Sequence, residues 1–138
     1  MFPHPYSIEN AHFYIQMDYS PNMRWAIHYQ DEFVGMIGLH KMDDVYSRSY
    51  EVGYWLGEAH WGKGIATKAL TAICQFAFEL SNVNRVFAGV FAYNPGSAKV
   101  LEKVGFKKEG HFRQSVYKDG QYLDELRYGL LKSDFVIT

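Results

Sequence analysis

The chain has 138 residues, of which 48% are hydrophobic and 21% are charged, and its formal net charge is -1. This length predicts one domain over residues 1–138, and the balanced charge argues against a nucleic-acid partner or an anionic membrane surface. No apolar run approaches the ~20 residues that span a bilayer, and the first ten residues lack a basic region followed by an apolar core. Cys74 is the only cysteine, so we expect no disulfide, a cytoplasmic location, and a core role for this thiol.

The first part of the chain predicts one helix followed by three strands. Ser7 is the candidate N-cap of a short helix over residues 7–20. Two strands over residues 24–30 and 33–42 form a hairpin around Asp31-Glu32, and residues 49–56 alternate as a third strand. The apolar positions that suggest the helix are Ile8, Ala11, Phe13, Ile15 and Tyr19.

The second part alternates strands and helices before a closing hairpin. Helical periodicity runs over residues 64–80, a buried strand follows over residues 84–93, and a second helix follows over residues 94–106. Pro95 suits the first turn of that helix and Gly105 its C-cap, while Asp119-Gly120 predicts a hairpin turn between residues 111–120 and 121–131. The order α-β-β-β-α-β-α-β-β predicts an α+β fold with a mixed sheet.

The segment from Gly57 to Gly64 is typical of a loop that binds phosphate. It matches seven of the eight positions of a nucleotide P-loop, but Gly64 stands where a hydroxyl must bind Mg²⁺. A dinucleotide fingerprint starting at Gly62 would need glycine at position 67, where the chain has Thr67. It would also need a leading strand in a parallel sheet and an acidic residue about 20 positions further on. Both of these readings therefore fit poorly.

A third interpretation uses only backbone amides. The N–H groups of residues 61–67 would converge at the start of a helix, and Gly62 and Gly64 would let the backbone approach a ligand closely. Neutral amides require neither Mg²⁺ nor a catalytic lysine, so they suit a pyrophosphate that is bound as a handle and left intact. The alternative is a structural turn with incidental glycines.

Two motifs resemble those of the GCN5-related N-acetyltransferases (GNAT). Residues 60–70, HWGKGIATKAL, resemble motif A, [QR]-x-x-G-x-[GA]: Gly64 and Ala66 match, and Trp61 replaces Gln or Arg as in the RimJ/RimL-like branch that acetylates ribosomal proteins. Residues 94–110 resemble motif B of that branch. The motif B matches are Asn94, Ser97, Lys103, Gly105, Phe106, Glu109 and Gly110. The resemblance covers residues 3–136 and implies the acyl-CoA N-acyltransferase fold, with helices on both faces of a mostly antiparallel sheet.

The resemblance implies acetyl-CoA as the cosubstrate, with its pyrophosphate on the amides of residues 61–67. The pantetheine arm would lie between splayed strands at residues 51–57 and 85–92, and backbone groups of Tyr54, Trp55 and Leu56 would pair with it as another strand would. Asn94 would hydrogen-bond this arm, cap the helix that begins at Pro95, or do both, while Lys103 belongs to a basic cluster that contacts the adenosine 3′-phosphate or is simply solvated. The implied cofactor-binding residues are Tyr54, Trp55, Leu56, Trp61, Gly62, Lys63, Gly64, Ile65, Ala66, Thr67, Asn94, Ser97 and Lys103.

The resemblance also implies direct acetyl transfer to a primary amine. Glu51 is the first candidate for the base, with a solvent-facing or salt-bridged strand residue as the alternative. Ser97 is the candidate proton donor to the thiolate, or else an ordinary serine of a first helical turn. Ser97 takes this role because Leu101 stands where the broader family often has a tyrosine that acts as general acid. Val116 stands where the ribosomal-protein branch can have a glutamate base, so that base is missing here. The weaker substitutes for that base are His111, Glu109 and Asp124.

The chain begins later than the members it resembles, which carry a further strand and helix ahead of residue 5. The uncovered sheet edge predicts a homodimer, because free strand edges pair with other chains. The shortening also leaves a second function open, that of a non-catalytic module that binds acyl-CoA. A nucleotide hydrolase would instead require binding of Mg-ATP. The six histidines lack metal-ligand spacing, so no metal is expected, and the amine acceptor is not identified.

Overall fold

A single mixed sheet organises the computed structural model, which describes residues 6–7, 13–18, 23–80 and 82–135. Its strands are β1 (Tyr6–Ser7), β2 (Phe13–Asp18), β3 (Met23–Tyr29), β4 (Glu32–Lys41), β5 (Ser49–Leu56), β6 (Arg85–Phe91), β7 (Lys107–Lys118) and β8 (Gln121–Leu131). They lie in the order β1-β2-β3-β4-β5-β6-β8-β7, and only the β5–β6 pair is parallel among the described strands. The helices are α1 (Ile65–Glu79) and α2 (Pro95–Val104). The predicted mixed, mostly antiparallel sheet is confirmed.

The start of the chain differs from the prediction. Residues 13–18 are strand β2, paired antiparallel with β3 in a continuous register, and residues 6–7 are strand β1. The helix predicted over residues 7–20 is therefore wrong where the structure describes the chain, while residues 8–12 and 19–20 lie outside the described residues. Phe13, Ile15 and Met17 also fit a two-residue alternation, and pairing with β3 decides between the two periods.

The two hairpin turns follow their sequences closely. Asp119 and Gly120 both have positive φ, 52° and 76°, as the predicted tight turn requires. In the first hairpin the positive-φ pair is Gln30 and Asp31, so this turn lies one residue before the predicted position. Strand β7 begins at Lys107, earlier than the predicted start at His111.

Helix α2 has the termini that its sequence predicts. Pro95 occupies the first turn, and Oδ1 of Asn94 accepts a hydrogen bond from the Ser97 amide at 3.3 Å. At the other end Gly105 is left-handed, with φ 115°, and the amide of Phe106 donates to the Leu101 carbonyl at 3.0 Å. These caps fix where α2 begins and therefore where Ser97 lies.

The hydrophobic core lies on one face of the sheet. Alternate residues of β3 to β6 and β8 are buried there, together with one side of α1 and Leu101 of α2. The strand residues of this core are Trp25, Ile27, Val34, Ile37, Leu39, Val52, Val86, Ala88, Tyr128 and Leu130. Cys74 of α1 lies in this core, as predicted, and burial raises the pKa of its thiol.

Both helices cover that same face. Helix α1 connects β5 to the parallel strand β6, and α2 connects β6 to β7. Strand β8 lies between β6 and β7 and is antiparallel to both, so β6 and β7 run in the same direction. Both connections step in the same direction across the sheet, so right-handed crossovers place both helices on one side. The second helix layer implied by the family resemblance is not found among the described residues.

No helix among the described residues is long and apolar enough to cross a membrane.

A glycine in β4 controls how closely β4 and β5 approach each other. A Cβ on Gly35 would overlap the carbonyl oxygen of Trp55 and lie 3.0 Å from Cα of Leu56. We expect Gly35→Ala to lower the free energy of unfolding by about 1–3 kcal/mol, because backbone atoms of a paired strand cannot easily yield. Urea denaturation would measure this change.

Gly53 provides the matched control, since an added Cβ there meets no atom of the described residues within 4 Å. Gly53→Ala should leave the urea midpoint unchanged or raise it slightly, because alanine suits a strand better than glycine. Equal midpoints for the two variants would show that the close approach at Gly35 is not a constraint.

Candidate active site

The parallel strands β5 and β6 separate after a short paired stretch. Residues 49–51 pair with residues 85–87, but β5 continues to Leu56 and β6 to Phe91 without further pairing between them. The splay predicted between residues 51–57 and 85–92 is thus present. It opens a gap in the sheet whose edges carry unpaired backbone groups.

The antiparallel β4–β5 ladder determines which groups of β5 face the gap. The amides of Met42 and Gly57 donate to the opposite strand at the two ends of this ladder. By the alternation of antiparallel pairing, the backbone of Trp55 bonds to β4, whereas the backbones of Tyr54 and Leu56 face the gap. The family resemblance implies that backbone groups of Trp55 meet the pantetheine arm. This expectation is wrong for Trp55, because its backbone groups are already bonded to β4.

Trp61 fastens the glycine loop to the end of β5. Its indole Nε1–H donates to the carbonyl oxygen of Leu56 at 2.8 Å, while its ring remains largely exposed. This bond occupies one of the backbone acceptors that were expected to meet the pantetheine arm. It also gives a structural purpose to a tryptophan at the position where motif A usually has Gln or Arg.

The loop ends in an uncapped helix N-terminus. Gly62 and Gly64 have φ of 77° and 78°, a conformation that strains other residues, and α1 begins at Ile65 without a side-chain cap. The first-turn amides, at Ile65, Ala66 and Thr67, have no acceptor within the helix. Together with the helix dipole they form a site suited to an anion.

A cleft of about 520 Å³, here called the loop cleft, joins this loop to the gap and to the first turns of α2. Twelve of the thirteen predicted cofactor-binding residues line it: Tyr54, Trp55, Leu56, Trp61, Gly62, Gly64, Ile65, Ala66, Thr67, Asn94, Ser97 and Lys103. Lys63 is the exception, since it is not a lining residue and its Nζ lies 5.9 Å from the centroid of the Tyr29 ring. The lysine that completed the P-loop pattern therefore points away from the cleft.

Three further residues line the loop cleft that the motifs did not indicate, namely His60, Gly96 and Val100. Gly96 precedes Ser97, and Val100 lies one helical turn after it, so the spacing of α2 could have placed both. His60 precedes Trp61 in a short 3-10 turn, and its Nε2 lies 3.8 Å from the Glu32 carboxylate. That contact joins distant parts of the chain and has no local sequence signal.

A second cleft, of about 550 Å³ and here called the open-face cleft, lies on the opposite face of the sheet. Its lining includes Arg24, His40, Glu51, Gly53, Trp55 and Gly89. Glu51 is half-buried there and lies directly across the ladder from His40. Glu51 and Ser97 are therefore in different clefts, on opposite sides of β5.

Tyr54 and Trp55 are the two described residues that line both clefts. They lie at the gap, so this is where a molecule in one cleft can reach a molecule in the other. Burial raises the pKa of the Tyr54 phenol, and the neighbouring Ser97 hydroxyl opposes that rise. Even so, no atom of the described residues meets hydrogen-bond geometry with Oη of Tyr54.

The three substitute bases considered from sequence are held by other groups. The Glu109 carboxylate bonds to the Arg85 guanidinium at 2.6 and 2.8 Å, which lowers its pKa. Asp124 lies 2.7 Å from Nε2 of His111 and accepts the Gln114 amide at 2.7 Å, and these bonds lower its pKa. Val116 pairs with Leu123 and brings no titratable group. Within the described residues no three His, Cys, Asp or Glu side chains are grouped as metal ligands.

The chain belongs to the GNAT acetyltransferase family, because the model of the acetyltransferase (GNAT) domain matches residues 1–107. The Bacillus subtilis (strain 168) protein named "Putative ribosomal N-acetyltransferase YdaF" is 38% identical over 107 residues, which are 78% of this chain and 58% of that protein. RimJ of Mycobacterium smegmatis, solved in complex with CoA-disulfide, is 30% identical with a TM-score of 0.75 over 81% of this chain and 54% of RimJ. A crystal structure titled "Probable acetyltransferase" is 36% identical, with a TM-score of 0.77 over 83% of this chain and 64% of that one.

These matches confirm the predicted family, its RimJ/RimL-like branch and its fold. The chain spans only 54–64% of the length of these three proteins. The β7–β8 hairpin lies almost wholly beyond the part that the family model matches.

The Arg85–Glu109 pair should make stability depend on pH in the acid range. The folded pKa of Glu109 lies below its ordinary value near 4.3, so its stabilising effect is present above that value and is lost as pH falls through the folded pKa. We expect Glu109→Gln to lower the melting temperature at neutral pH, and the difference from wild type to shrink in acid as pH falls through the folded pKa of Glu109. A difference that is the same at both pH values would contradict the ion-pair assignment.

Proposed function

We propose that this protein is an acetyl-CoA-dependent N-acetyltransferase that transfers the acetyl group directly to a primary amine. The observation that carries the proposal is the meeting of two clefts at the β5–β6 gap, with the uncapped first turn of α1 in one and the Glu51 carboxylate in the other. RimJ, which was solved with a CoA compound, shares this fold and supports CoA as the occupant of the loop cleft.

Acetyl-CoA would enter along the loop cleft. Its pyrophosphate would lie on the first-turn amides of α1, and Lys103 would offer a positive charge to the remaining phosphate. The arm would run past the backbone of Tyr54, whose N–H can face the thioester oxygen and stabilise the oxyanion that develops there. Asn94 would meet the arm through its amide group while its Oδ1 keeps capping α2.

The acceptor amine would approach from the open-face cleft. Deprotonation at pH 7 costs about 1 kcal/mol for an α-amine and about 4.6 kcal/mol for a lysine, so an α-amine needs only a modest base. Glu51 lies in this cleft and would take the proton directly or through water. Ser97 would deliver a proton to the departing sulfur from the other side of the strand, and the protein would form no covalent intermediate.

The acceptor class follows from this energetic difference and from the relatives. A protein N-terminus is an α-amine, and YdaF is named a putative ribosomal N-acetyltransferase. A small-molecule amine remains the second acceptor class. The alternative to an enzyme is a module that holds acyl-CoA and acetylates nothing. Such a module would bind acetyl-CoA but show no turnover of an amine substrate.

Homodimerisation and a cytoplasmic location stay predictions. Strands β1 and β2 occupy the sheet edge next to β3, so a dimer would have to use β1, β7 or a face of the sheet among the described elements. The burial of Cys74 is compatible with a reducing compartment.

Calorimetric titration tests ligand identity first. We expect micromolar binding of acetyl-CoA and no binding of Mg-ATP, because the loop offers amides without a magnesium ligand. Lys103→Ala should weaken acetyl-CoA binding, since Lys103 lines the loop cleft, whereas Lys63→Ala should weaken it less. Binding of Mg-ATP in place of acetyl-CoA would overturn the proposal.

Glu51→Gln tests the assignment of the base. We expect kcat to fall about 10²–10⁴-fold, as for loss of a general base, with unchanged acetyl-CoA affinity because Glu51 lies outside the loop cleft. Turnover of a peptide with a free N-terminus and direct titration with acetyl-CoA provide the two measurements. Equal turnover by Glu51→Gln and wild type would assign the base to another group.

A further inference from the structure

The side chain of Tyr54 has no part in the transfer just described, yet it lies at the centre of the site. It projects from β5 on the same side as Val52, towards α1 and α2, and its hydroxyl oxygen is shielded from solvent. A shielded hydroxyl without a partner is unfavourable, and Oη has none among the described residues. A ligand atom that accepts a hydrogen bond at this position would remove the penalty.

The position of Tyr54 indicates which ligand atom that is. Transfer between molecules bound on opposite faces must take place at the gap, and Tyr54 lines both clefts there. Ser97, the candidate donor to sulfur, is close enough to Tyr54 to affect the phenol. The reacting carbon and its sulfur would therefore lie beside these two hydroxyls.

We propose that Tyr54 is a catalytic residue whose hydroxyl donates a hydrogen bond to the thioester sulfur as the carbon–sulfur bond breaks. This inference rests on the proposed acetyltransferase function and adds a second donor beside Ser97. The amine nitrogen bonds to the carbonyl carbon, and the electron pair of the carbon–sulfur bond moves to sulfur. The amine proton passes to Glu51 or water, and sulfur takes its proton through Ser97, which water then reprotonates.

Tyr54 itself keeps its proton throughout. An alkyl thiol has a pKa near 8.5 and a phenol one near 10, so a thiolate does not deprotonate a tyrosine. Burial raises the Tyr54 pKa further, which keeps the group a donor at every pH where the enzyme would work. The thioester sulfur carries no charge before the bond breaks, so the hydrogen bond strengthens mainly during the reaction.

Tyr54→Phe tests the proposal because it removes one oxygen and keeps the ring. A hydrogen bond to a developing charge predicts a fall in kcat of about 10-fold to 100-fold with little change in the KM for acetyl-CoA. Tyr128→Phe is the matched control. It also removes a phenol from the core face of the sheet, but its hydroxyl bonds to Glu102 at 3.3 Å, away from both clefts.

A binding comparison separates contact with sulfur from a general effect on the cleft. Titrations at about pH 9, above the ordinary thiol pKa, would compare CoA with desulfo-CoA, which lacks the sulfur. We expect Tyr54→Phe to lose about 10-fold in affinity for CoA and none for desulfo-CoA, whereas Tyr128→Phe should leave both affinities unchanged.

The possible outcomes are distinct. Equal losses for CoA and desulfo-CoA would show that Tyr54 only shapes the cleft, and unchanged affinities with unchanged kcat would show that it has no role. Either result overturns this inference alone, because the wild type still binds CoA. Failure of the wild type to bind CoA or desulfo-CoA would overturn the proposed function together with this inference.

Discussion

The whole site depends on one interruption in the sheet, the early end of pairing between β5 and β6. Three residues of each strand hold the two together, and beyond them each strand is held only by its other neighbour. Because β4 and β8 support those outer edges, the gap can stay open without unravelling either strand. The loop, the first turn of α1 and the start of α2 all lie around this gap.

The direction of the chain then decides what lies on each side of the gap. Two right-handed connections that step the same way place both helices, and with them the glycine loop before α1, on one face. The other face keeps polar side chains such as Arg24, His40 and Glu51. One sheet thus separates the uncapped first turn of α1 from the carboxylate of Glu51.

Local signals made much of this structure predictable from sequence. Pro95, Gly105 and Asp119-Gly120 act through backbone geometry that neighbours cannot easily change, so the features they predict are present. The family resemblance likewise indicated twelve residues that line one cleft in the structure.

Properties that depend on distant partners were not predictable in this way. The segment at 13–18 fits two periodicities, and only pairing with β3 selects the strand. Lys63 lies over the ring of Tyr29, which is far away in sequence, and the hydroxyl of Tyr54 is shielded from solvent only in the folded chain. Neither position has a signature of its own in the surrounding residues.

The separation of the two clefts affects how substrates would enter and how products would leave. In the proposed transfer, a donor and an acceptor that arrive from opposite faces would leave by opposite routes, so neither product would block the exit of the other. The order of release would then be free of steric constraint. A single inhibitor that mimics both substrates would have to thread the opening between β5 and β6, and the width of that opening would limit which linkers such a compound can carry.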